Sequence, residues 1–172
     1  MAKLKTASVN YLIILLVLLT GLPLTGAWAA TSEQAKIRRL VATEARQIGV
    51  PVALAMAVAR AESNFDPRAL SHKGARGVMQ VMPDTALGDY GIQPDRLWEP
   101  RINIRLGLHF LKRLINRYRG RVDLALSYYN GGAAVGNWPR ARIIPATYPY
   151  LRKVQQYSLD YQQRISMGVS HD

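Results

Sequence analysis

Val52 to Ala59 is a run of eight residues without one polar side chain, set between Pro51 and Arg60. Alanine, leucine and methionine dominate it, and these are strong helix formers. A helix that is apolar on every side belongs in the middle of a core rather than on a surface. The remaining elements must therefore wrap this segment. It runs directly into Arg60-Ala61-Glu62-Ser63-Asn64-Phe65, and Asp66-Pro67 closes it, since the residue before proline is biased away from helix.

The neighbouring segments read as amphipathic helices. Ile37, Leu40, Val41, Ala45 and Ile48 recur on one helical face, with Arg38, Arg39, Glu44 and Arg46 off it. Gly49 is a natural stop and Pro51 a natural restart. The spacing of Ile104, Leu108, Leu111 and Ile115 predicts a helix from about Asn103 to Tyr118, ended by Gly120. A further helix is expected from about Val122 to Tyr129, stopped by Asn130-Gly131-Gly132, and a last one from about Pro149 to Ile165. Between Ala69 and Pro83 the glycines Gly74 and Gly77 punctuate a loop or short hairpin. The fold class is mainly α, with a small β-hairpin or loop insertion.

The first thirty residues stand apart. Lys3 and Lys5, the apolar run Tyr11–Leu19, the break at Gly21 and Pro23, and Ala27-Trp28-Ala29 follow the order of a secretory signal over residues 1–30, cut near Ala29 or Ala30. The run is shorter than the roughly 20 apolar residues that span a bilayer. The mature domain, residues 31–172, is expected outside the cytoplasm, in the periplasm, with no stable membrane span once the signal is cleaved. The chain carries a net charge of +12, of which Lys3 and Lys5 contribute two, leaving +10 on the mature part. That surplus favours anionic partners such as wall polymers, acidic lipid or nucleic acid. Export and the scatter of the arginines argue against nucleic acid. With no cysteine, the chain has neither disulfides nor thiolate chemistry, and no lipid anchor on cysteine is expected. His72, His109 and His171 lie far apart without ligand spacing, so neither a metal nor another cofactor is expected.

Glu62 is the most informative residue. It closes the most apolar segment, so its carboxyl is expected at the edge of the core. Desolvation there disfavours the charged form and raises the pKa. A carboxyl still protonated near neutral pH is what a general acid requires. By position alone, a glutamate at a helix end that simply points into water is the favoured explanation.

The surrounding pattern adds to this. Glu62-Ser63-Asn64-Phe65, Ser71, Gly74-Ala75 and Gly77-Val78-Met79-Gln80-Val81-Met82-Pro83 resemble the lytic transglycosylase (SLT) family. Glu99-Pro100, Asn103-Ile104, Gly107 and Phe110-Leu111 are similar to its "P…NI…G…YL" helix, and Ala125-Leu126-Ser127-Tyr128-Tyr129-Asn130-Gly131-Gly132 to its "ALAAYNAG". These blocks, in this order, span about Val50 to Val154. The departures are Val78 for a common leucine, Tyr128 for a common alanine, and Arg76 in the glycine loop.

The resemblance implies a lysozyme-like helical domain whose groove binds peptidoglycan glycan strands. It implies cleavage between N-acetylmuramic acid and N-acetylglucosamine with formation of a 1,6-anhydro sugar. Glu62 would be the catalytic acid and then base, and Tyr129 would orient its carboxyl and cover the site. Ser71, Gln80, Met82 and Asn130 would line the groove. Simpler roles stand beside these: Gln80 satisfying loop backbone groups, Asn130 ending a helix, Met79 in the core, Trp98 and Trp138 packing. Asp66, Asp84 and Asp123 are candidates for a second carboxylate. Compact domains of this kind resemble those accompanying secretion, conjugation or pilus complexes. Two other readings remain: a hydrolytic muramidase similar to goose-type lysozymes, and a wall-binding assembly protein in which catalysis is incidental.

Overall fold

A computed structural model describes residues 25–168, with side chains from residue 33 onward. The expected signal over residues 1–30 therefore falls mostly outside the described residues. A compact unit begins at Glu33 and holds the side-chain features that follow. No helix of the described residues is long and apolar enough to cross a membrane.

Six α-helices are present among the described residues. They are α1 (Thr25–Ile48), α2 (Val52–Ser63), α3 (Pro83–Tyr90), α4 (Pro100–Arg117), α5 (Val122–Gly131) and α6 (Tyr148–Ser166). Short 3-10 turns cover Pro94–Trp98, Gly132–Val135 and Pro145–Thr147. Every residue of α2 from Ala53 to Ala59 is buried, as its lack of polar side chains requires. The helix α6 packs along α2, and α5 packs on α4. Among the described residues the β content is limited to two isolated antiparallel bridges, Leu70 with Arg76 and Arg76 with Val81. They fold the glycine-bearing loop into a small hairpin-like insertion.

Three features depart from the reading of the sequence. The helix α3 and the 3-10 turn after it were not expected, although Pro83 at the first turn and Gly91 in the left-handed region at φ 65° are ordinary start and stop signals. The helix α4 begins at Pro100, three residues before the expected start, because proline fits a first turn. Glu44, expected off the apolar face of α1, is 1% exposed. Arg101 Nε approaches its Oε1 at 3.2 Å and Arg105 Nη1 its Oε2 at 3.3 Å. Two guanidinium groups from α4 thus compensate one carboxylate beneath them, which is the condition for burying it.

Candidate active site

The site forms where α2 ends. Glu62 lies in the last turn of α2, half-buried, and Asn64 caps the helix in the left-handed conformation at φ 52°. Tyr150, at the start of α6, donates its hydroxyl to Glu62 Oε1 at 2.6 Å. Burial drives the carboxyl up from the ordinary 4.5 to about 7, against the opposing effects of the Tyr150 bond and the Lys153 ammonium. Both the protonated and the ionised forms of Glu62 are therefore within reach near neutral pH.

Beneath it the loop 69–82 is tied down at several points. Ser63 Oγ donates to Val78 O at 2.8 Å, joining the end of α2 to the loop. Asn103 on α4 is fully buried; its Oδ1 accepts from Met79 N at 2.8 Å, and its Nδ2 donates to Arg76 O at 2.7 Å and Leu97 O at 3.0 Å. Gly77 sits at φ 71°, and a Cβ there would fall 2.6 Å from Asn103 Nδ2 and 2.9 Å from Leu97 O. Glycine is required at that point both for the conformation and for the space. Met79 is likewise clamped. Its carbonyl accepts from the Tyr129 hydroxyl at 2.8 Å, and a Cβ on Gly107 would stand 2.4 Å from its own Cβ.

A groove of about 410 Å³ opens beside this framework, lined by Gln80, Met82, Phe110, Tyr128, Tyr129 and Asn130 among others. Four of the six expected site residues therefore share one surface. The other two do not line it. Ser71 folds inward on its own loop, where its Oγ accepts from Ala75 N at 3.0 Å. Glu62 is near enough to Tyr129 that its charge helps burial to keep the Tyr129 hydroxyl protonated.

The expected contact between Tyr129 and Glu62 is not the one formed. The hydroxyl that meets the carboxyl belongs to Tyr150, while that of Tyr129 is engaged by Met79 O. The last helix approaches Glu62 from the side that the sequence left unassigned. The signal was present in the spacing of Tyr150, Lys153 and Tyr157, which share one face of α6. Gln80 lines the groove and also satisfies loop backbone groups: at φ 47° it turns its Nε2 back to Ala69 O and Gly77 O, at 3.1 and 3.0 Å. Met79 is core, as the alternative reading held. Trp98 and Trp138 are instead more than a third exposed, each beneath an arginine, Arg76 and Arg119.

The transglycosylase SLT domain family matches residues 39–148, well over half of the chain. The chain belongs to this family. Its relatives include membrane-bound lytic murein transglycosylase C of Sodalis glossinidius, 36% identical over 110 residues that make up 55% of this chain and 30% of that protein. The soluble lytic murein transglycosylase of Escherichia coli K12 is 32% identical over 97 residues, covering 52% and 15% respectively. Among solved structures, an inactive mutant of lytic transglycosylase Slt from Pseudomonas aeruginosa superposes with a TM-score of 0.64 at 28% identity. That match covers 75% of this chain and 24% of the other. The chain thus spans less than a third of the length of these proteins. The SLT match begins in α1 and reaches the first residue of α6, so it takes in Glu62, the Asn103–Met79 tie and Tyr129. Tyr150 and Lys153 fall just beyond it. The domain is lysozyme-like and helical, in keeping with its neighbours.

Proposed function

We propose that this SLT domain is a peptidoglycan lytic transglycosylase. It acts in the periplasm and cleaves the β-1,4 bond between N-acetylmuramic acid and N-acetylglucosamine. The observation that carries this reading is a single half-buried carboxyl, Glu62, poised at about 7 beside a groove large enough for sugar rings. Protonated Glu62 gives its proton to the glycosidic oxygen as the bond to the muramic anomeric carbon breaks. The resulting carboxylate then takes the proton of the muramic 6-hydroxyl while that oxygen bonds to the anomeric carbon. The proton count balances, no water is consumed, and the product is a 1,6-anhydro sugar.

Most glycosidases need two carboxyl groups across the scissile bond, one of them to hold or activate a nucleophile. Here the candidates for a second one are otherwise placed. Asp123 is paired with Arg121 at 2.6 Å, and Asp66 accepts from Arg68 N at 2.8 Å. Asp84 is exposed in the first turn of α3, and Asp89, which lines the groove, is paired with Arg113. An internal nucleophile, the 6-hydroxyl, suits a site with one available carboxyl. The surplus of positive charge suits an anionic wall, and the reaction would open local gaps for a secretion, conjugation or pilus complex.

A reducing-end assay on digested peptidoglycan tests the reaction. Solubilisation without new reducing ends is the expected result. New muramic reducing ends in proportion to solubilised material would make the protein a hydrolytic muramidase. Failure to solubilise any wall, with Glu62→Gln still supporting assembly in a deletion strain, would make it a wall-binding assembly protein.

A further inference from the structure

Lys153 lies one turn after Tyr150 on α6, and its Nζ donates to Ala61 O at 3.1 Å. That carbonyl belongs to the last turn of α2, immediately before Glu62, where backbone oxygens lack an intrahelical partner. A cation there also meets the negative end of the helix dipole. One turn further along α6, the Tyr157 ring lies under the Arg60 guanidinium at 4.0 Å. The same face of α6 therefore grips Arg60, Ala61 and Glu62 in succession.

We propose that Lys153 is a positioning residue for the reaction: its ammonium, pinned to the end of α2, sets how readily Glu62 releases its proton. This rests on the transglycosylase reading above. Among the described residues, the Tyr150 hydroxyl and the Lys153 ammonium of α6 act on Glu62, and the Tyr129 hydroxyl of α5 feels its charge. Both tyrosines are held protonated, well above their ordinary value, by burial first and by the Glu62 charge second. Arg60, on α2 itself, is spread over the Tyr157 ring. Among the described residues Lys153 is thus the charge that acts on the carboxyl, and it opposes the effect of burial. A carboxyl driven upward by burial alone is a weaker acid and donates its proton more slowly. The ammonium returns it toward the working pH.

The test is a carbon-13 NMR titration of the Glu62 side-chain carboxyl in the intact chain, compared with Lys153→Gln and Lys153→Arg. The Gln variant is expected to titrate at higher pH than the wild-type midpoint of about 7, and the Arg variant near the wild type. Added salt should raise the wild-type midpoint by more than that of the Gln variant, because only the wild type has the Lys153 charge to screen while the chain's other cations act on both. Coincident midpoints for wild type and Gln, or a wild-type midpoint indifferent to salt, would overturn the proposal. The salt arm needs no variant, so a misfolded substitution does not rescue the idea. The titration also needs no turnover. A protein that yields no anhydro product would refute the transglycosylase reading and leave the role of Lys153 at Glu62 to be judged by its midpoint.

Discussion

The Tyr150 hydroxyl donates to Glu62 Oε1 at 2.6 Å across 88 residues of sequence. A short bond from a neutral hydroxyl to a carboxylate is of the stronger, charge-assisted kind, and it favours the ionised form. It also fixes where the carboxyl points. Tyr150→Phe is expected to fold, to raise the Glu62 titration midpoint further, and to lower turnover about tenfold or more through lost aim. Matched pH–rate profiles for the two proteins are the check. An unchanged profile would show that the bond neither orients nor tunes the acid.

Tyr129→Phe separates the two tyrosines. Its hydroxyl holds the Met79 carbonyl rather than Glu62, so its loss acts on the loop. The variant is expected to lose about 1 kcal/mol of stability. It should lose activity without moving the pH profile, which denaturation midpoints and pH–rate curves would reveal together. A shifted profile would return the orienting role to Tyr129.

Glu62 has a stability cost with a definite pH window. Its folded value lies above its unfolded value, so the native state binds the extra proton between about 4.5 and 7. The stability associated with the protonated form is complete below 4.5 and is lost as pH rises through about 7. Glu62→Gln should therefore match the wild type near pH 4 and exceed it at pH 8, by at most about 3 kcal/mol. Urea denaturation at the two pH values measures this. Equal stability at pH 8 would mean that the carboxyl is better solvated than its burial indicates.

The framework under the groove is expected to be intolerant. Asn103→Ala strips partners from Met79 N–H and from the Arg76 and Leu97 carbonyls, and should cost about 3 kcal/mol or more. Gly107→Ala sets a methyl 2.4 Å from Met79 Cβ and 3.1 Å from the Tyr129 hydroxyl, and should cost about 1–3 kcal/mol. Activity lost in step with stability in these variants would fit a loop that must be held to form the groove.

Much of this was legible in the chain. The apolar run Val52–Ala59 announces the buried central helix, and its end at Glu62 places the acid at a core edge. The groove side of the site could be read from local blocks, because Gln80, Met82, Tyr129 and Asn130 lie in or beside short motifs. Tyr150 could not be read in this way. It is close to Glu62 only because α6 returns along α2: its spacing with Lys153 and Tyr157 marks a shared face, but not which element that face meets. Glu44 shows the same limit. As a charged residue it is read as lying off the apolar face of α1, and only the arrival of Arg101 and Arg105 makes its burial there tolerable.

That pair of arginines gives a non-additive expectation. With either one left in place, Glu44 keeps a counter-charge, so Arg101→Ala and Arg105→Ala should each cost about 1 kcal/mol or less. Removing both leaves a buried carboxylate unpaired, at about 3–5 kcal/mol. A double-mutant cycle by chemical denaturation measures the coupling, and strict additivity would contradict the account.

The most direct measurement is mass spectrometry of the soluble muropeptides released from purified peptidoglycan by the wild type and by Glu62→Gln. The account predicts 1,6-anhydromuropeptides from the wild type and none from the folded variant. Anhydro products from both proteins, or hydrated muramic ends from the wild type, would contradict it.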